Sequence, residues 1–107
     1  MKNNQGFELH PGAAQDITEI WEFIAGDNPL AAVRVREDIL AAIRNLQRFP
    51  HQGHTRADFT SRPLRFQPVR DYLIVYAPDE SPLLVVAVLH GRRSPRVIAA
   101  TLRIREK

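Results

Sequence analysis

The chain has 107 residues, 44% apolar and 25% charged, which excludes a disordered or bilayer-spanning protein and predicts one thin-cored domain over residues 1–107. Absence of cysteine removes disulfides, thiolate nucleophiles and cysteine zinc sites, and suits a reducing compartment. The net charge of +3 is unevenly placed, with nine basic and four acidic side chains in residues 59–107 against six and eight before them, and thirteen of the fifteen basic residues are arginine, so an anionic partner is expected.

The opening Met1–Gly6 carries no apolar run or small-residue cleavage pattern, so the expected location is the cytoplasm, without membrane contact. Phe7-Glu8-Leu9-His10 alternates apolar and polar side chains as a short strand does. From Pro11, a residue suited to a first helical turn, Ala13, Ile17, Ile20, Trp21 and Ile24 recur at helical spacing. Gly26-Asp27 closes that helix, Asn28 is placed to cap a second, and Pro29 opens it; Ala32, Val35, Ile39, Ala42, Ile43 and Leu46 form its apolar face before Pro50. So short a link predicts an antiparallel helical hairpin.

Residues 51–62 are polar, contain Gly53 and read as a loop. Leu64–Val69, Tyr72–Tyr76 and Leu83–Leu89 read as a three-stranded meander; the last is continuously apolar from Leu84, which fits a strand covered on both faces or one awaiting a partner. Pro95–Arg105 reads as a short helix whose apolar face can dock on the domain or await another protein. The fold class is therefore α+β: an N-terminal strand, an antiparallel helical hairpin packed on an antiparallel sheet, and a short C-terminal helix. Trp21, Phe23 and Phe49 are assigned to core packing, and Tyr72 and Tyr76 to one half-buried strand face.

Few chemistries find support. His51 and His54 lack a third ligand at defined spacing, so no metal site is read, and no phosphate loop, nucleophile elbow or carboxylate pair appears. One constellation fits nucleic acid: Arg65 on one strand with His90, Arg92 and Arg93 at the end of another form a cationic patch with an imidazole able to move protons. The same residues also read as solvated strand ends, with His90 bonded to backbone.

Ala13-Ala14-Gln15-Asp16-Ile17, Asn28-Pro29 with Ala31-Ala32, Phe49-Pro50 with Gly53, Tyr72–Tyr76 and Val88-Leu89-His90-Gly91-Arg92-Arg93 together resemble the RelE/ParE toxin superfamily, from Phe7 to Leu102. The resemblance implies a cofactor-free toxin of a type II toxin–antitoxin (plasmid stabilisation) system that arrests growth. It is neutralised when a segment of a cognate antitoxin wraps across hairpin and sheet, and the complex meets operator DNA only through that antitoxin. RelE-like members cleave messenger RNA on the ribosome; here Arg93 and approximately Arg65 match basic positions, with His90 as the acid or base. However, Leu73 stands where RelE proper has an arginine, and no tyrosine follows Arg93. That departure favours the ParE-like branch, which poisons DNA gyrase by binding and has no catalytic residues. Target-binding candidates are then Arg92, Arg93, Arg96 and Arg103, and antitoxin-binding candidates Val97, Ile98 and Leu102; a degenerate, non-toxic partner-binding member is the remaining alternative.

Overall fold

Residues 6–106 are described by a computed structural model. The elements run β1 (Phe7–Leu9), α1 (Pro11–Ala25), α2 (Pro29–Arg48), β2 (Arg65–Val69), β3 (Tyr72–Ala77), β4 (Leu83–His90) and α3 (Pro95–Ile104). Each helix begins with proline behind a side-chain cap. His10 Nδ1 accepts the Gly12 N–H at 2.9 Å, Asn28 Oδ1 the Ala31 N–H at 3.0 Å, and Ser94 Oγ the Val97 N–H at 3.2 Å. The sheet order is β1-β4-β3-β2, which makes the α+β fold expected from the pattern. One pairing departs from a purely antiparallel sheet: β1 lies parallel to β4, Phe7 opposite Leu83 and Leu9 opposite Val85. The chain leaves β1 through a helical hairpin and enters the meander at the far edge, so the first strand meets the last in the same direction.

A bulge shapes β4. Tyr76 opposes Val85 while Val75 opposes Ala87, leaving Val86 as the extra residue. Val85 therefore faces the helical hairpin, whereas Val86 and Ala87 both face the opposite side. The apolar run thus has the first of its two possible reasons: both faces of β4 are covered. On one face the hairpin contributes Ile17, Val35, Ile39, Ile43 and Leu46. The other is closed by α3 with Ile98 and Leu102 and by the residue 51–64 segment with Phe59 and Leu64. That segment is less polar in effect than its composition suggests. His54 exchanges two backbone hydrogen bonds with Phe66, and Phe59 tilts against Phe66 at 5.3 Å.

Three aromatic assignments need correction. Trp21, Phe23 and Phe49 are exposed. On a 3.6-residue repeat Ala13, Ile17, Ile20 and Ile24 fill the inward stripe of α1, which leaves Trp21 and Phe23 on its two flanks. Phe49 caps the end of α2 with the Arg48 guanidinium 5.7 Å from its ring centre. Tyr72 is half-buried as expected, but Tyr76 is fully buried. Its hydroxyl donates to Pro50 O at 2.7 Å and accepts the Gly53 N–H at 2.9 Å. A Cβ on Gly53 would lie 2.7 Å from that hydroxyl and 3.0 Å from Phe66 O, so only glycine fits there.

Candidate functional site

Beyond Val85, β4 loses β1 as its neighbour, and two side chains take over the exposed edge. The Asp16 carboxylate on α1 accepts the Val88 N–H at 2.9 Å, and Arg105, just past α3, donates to Val86 O at 3.2 Å. The two side chains pair bidentately, at 2.6 and 3.0 Å, and are only 12% and 17% exposed. Arg105 passes so close to α1 that a Cβ on Gly12 would sit 2.4 Å from its Nε. Hydrogen bonding to Asp16 holds the guanidinium pKa above its ordinary value. Burial, then the positive charges of Arg105 and Arg62, press the His10 pKa below its usual value. None of this was read from the sequence, where Asp16 counted only within a matching run. An acid directly flanking the apolar stripe of α1 is the available signal.

Past Asp16, a cleft of about 500 Å³ lies between α1 and the end of β4. Its floor is apolar, from Ile20 and Ile24 on α1, Val35 on α2, Tyr72 on β3 and Val88 on β4. Its mouth carries Glu19, Phe23, Arg70, Asp71, His90 and Arg93. Phe23 is 84% exposed at the lip, on the same flank of α1 as Asp16. Arg70 occupies the two-residue turn between β2 and β3 with φ +53°, a left-handed conformation that a residue with a Cβ rarely adopts, and bonds Asp38 on α2 at 2.6 Å. Tyr72 meets the His90 ring edge-on at 5.4 Å, and burial raises its phenol pKa.

The expected cluster of Arg65 with His90 and Arg93 does not form. Arg65 lies opposite Tyr76, His90 opposite Tyr72, and β3 separates their strands. Four residues along and two strands across place the two about 16 Å apart, on the ~3.3 Å rise and ~4.8 Å spacing of a sheet. Arg65 is moreover committed to the loop, donating to Gly53 O at 2.7 Å and His51 O at 3.3 Å. His90 uses Nδ1 to accept the Arg92 N–H at 3.1 Å, the backbone role foreseen as its alternative. Arg92, Arg93 and Arg96 gather where β4 passes into α3, while Arg103 stands at the far end of that helix. All four are exposed and none forms an ion pair among the described residues. Ile98 and Leu102, expected to meet an antitoxin, are each 1% exposed, because they close the core beneath α3; Val97 alone of the three reaches the surface.

Among the described residues no three His, Cys, Asp or Glu side chains come together as a metal site, and no helix is long and apolar enough to cross a membrane. No curated protein matches the chain in sequence. Among solved structures, a chain of the chromosomal ParDE TA system from P. aeruginosa superposes with a TM-score of 0.65 at 17% identity, covering 78% of this chain and 92% of that one. The model of the ParE toxin of the type II toxin–antitoxin system parDE matches residues 7–95. The chain belongs to the ParE toxin family.

Proposed function

We propose that the chain arrests growth by binding DNA gyrase in the cytoplasm, without chemistry of its own, and that a cognate antitoxin neutralises it. One observation carries the binding reading: Arg92, Arg93 and Arg96 stand uncompensated around the first turn of α3. Cations beside a helix N-terminus oppose its dipole, each costing about 0.3–1 kcal/mol. Such an arrangement fits a surface kept for an anionic partner better than one tuned for stability. Cleavage of a phosphodiester would need charge stabilisation and proton transfer at one point. The separation of Arg65 from His90 argues against that alternative.

The test is a supercoiling assay with purified chain, gyrase, ATP and relaxed plasmid, with and without the antitoxin encoded beside the toxin gene. Lost supercoiling with accumulating linear DNA, both reversed by the antitoxin, is expected. Replacing Arg92, Arg93 and Arg96 together by serine is expected to weaken inhibition at least tenfold without lowering the thermal midpoint, and to raise it by whatever the three cations cost beside the helix N-terminus. Unaffected gyrase in a preparation that still arrests cells would overturn the proposal.

A further inference from the structure

Charge is unequal across the sheet. The helical hairpin covers one face, and residues 11–48 carry six acids against four arginines, with three of those acids and no basic residue on α1. α3 covers the other face, and residues 81–105 hold five arginines with no acid among them. Arg105 is committed to Asp16, which leaves Arg92, Arg93, Arg96 and Arg103 exposed and without an ion pair among the described residues. Arg96 and Arg103 are seven residues apart, so they share one side of α3, roughly 10 Å apart along its axis and away from the side that buries Ile98 and Leu102. The half-buried Ala99 and Ala100 lie between them and keep that side free of bulk. Arg92 and Arg93 precede the helix on a backbone that is tied down. Gly91 N–H donates to Asp71 O at 2.7 Å, Arg92 N–H to His90 Nδ1 at 3.1 Å, and Arg93 N–H to His90 O at 3.1 Å.

We propose that this row of arginines is a contact surface for the phosphate backbone of duplex DNA, namely the DNA that gyrase holds. The inference rests on the gyrase reading for the DNA it names, and on the row alone for the contact. Roughly 10 Å spans about three nucleotides of one strand at ~3.4 Å each, so guanidinium groups at the two ends of α3 reach separate phosphates. Arginine's planar fork suits each of them bidentately. A single strand would be held by stacking, and residues 91–106 contain no aromatic side chain. A protein partner would need an apolar anchor within the patch, whereas the large apolar side chains that α3 exposes are Val97 and Ile104, on a flank of the row. Because the turn before α3 is already fixed by its hydrogen bonds, little ordering cost is added on binding.

The experiment follows the fluorescence anisotropy of a short labelled duplex of arbitrary sequence with the full chain, from about 50 to 200 mM KCl, beside the supercoiling assay. Four phosphate contacts predict a slope of log affinity against log salt between about −3 and −4, about a hundredfold loss across that range, equal for two unrelated sequences. Arg96→Gln combined with Arg103→Gln is expected to flatten the slope by about 2 and to weaken duplex binding and gyrase inhibition at least tenfold each, while glutamine's helix propensity keeps the thermal midpoint near that of the parent. Arg34→Gln combined with Arg44→Gln removes the same charge from exposed positions of α2 and is expected to leave the slope unchanged. Equal flattening by the two pairs would reduce the effect to net charge and overturn the proposal. Duplex binding that is absent, or that survives Arg96→Gln with Arg103→Gln while gyrase inhibition falls, would assign the row to an acidic protein surface and overturn it as well. A chain that binds duplex as expected but leaves gyrase active would refute the gyrase reading and keep the DNA surface.

Discussion

The two tyrosines of β3 mark opposite ends of one sheet face and are treated differently. At the Tyr76 end β4 is paired with β1, the phenol is fully buried, and both hydrogen-bonding directions of its hydroxyl are used by the loop after α2. At the Tyr72 end β1 has stopped, the ring is half-buried against His90, and the edge of β4 faces a cleft. The bulge at Val86 and the Asp16–Arg105 pair lie at the boundary. A strand edge left open over its whole length invites uncontrolled pairing, and here the Asp16 and Arg105 side chains close part of it. The closed end is held by the bonds just described, and the open end faces the cleft.

Breaking the boundary is expected to have the largest effect. Arg105→Ala strands the Asp16 carboxylate in a largely buried position, and losing one partner of a buried pair costs about 3 kcal/mol. Chemical denaturation measures it, and faster exchange of the Val88 amide locates it at the edge. Tyr76→Phe attacks the closed end by removing the acceptor of the Gly53 N–H and the donor to Pro50 O, for about 1–3 kcal/mol. Tyr72→Phe, the matched change at the open end, is expected to alter stability by less than about 0.5 kcal/mol. Equal losses for the two tyrosines would contradict the division into a closed and an open end.

Helical and strand periodicity made the element order legible, because each element buries one well-spaced stripe. Ile17, Ile39, Ile43 and the β4 run sit where that spacing puts them. The sequence was less informative wherever a side chain has two plausible environments. Trp21 and Phe23 flank the buried stripe of α1, and a helical repeat alone does not say how wide the buried face will be. Ile98 and Leu102 posed the opposite problem, since an apolar helical face looks the same whether it docks at home or on a partner. Register decided the candidate site. A meander puts β3 between their strands and sends Arg65, at the start of β2, and His90, at the end of β4, to opposite corners, so the elements read from the sequence already opposed the cluster expected of them. Arg105 was illegible for a related reason: its partner lies 89 residues away.

The boundary also has its own titration. The His10 N–H donates to Val85 O as the last link of the β1 pairing, and its Nδ1 caps α1. Protonation fills the lone pair that accepts the Gly12 N–H and sets a cation beside Arg105 and Arg62. With the folded pKa below the ordinary 6.5, the unfolded chain binds the proton more readily. Stability is therefore retained above about pH 6.5 and lost as pH falls below it, until the folded chain protonates as well. Thermal midpoints recorded between pH 7.5 and 5 are expected to fall through that window. In His10→Asn, which caps without titrating, the imidazole's share of the fall disappears and the midpoint at pH 7.5 stays close to that of the parent. An unchanged pH profile in His10→Asn would show that the acid loss does not come from the imidazole at the start of α1.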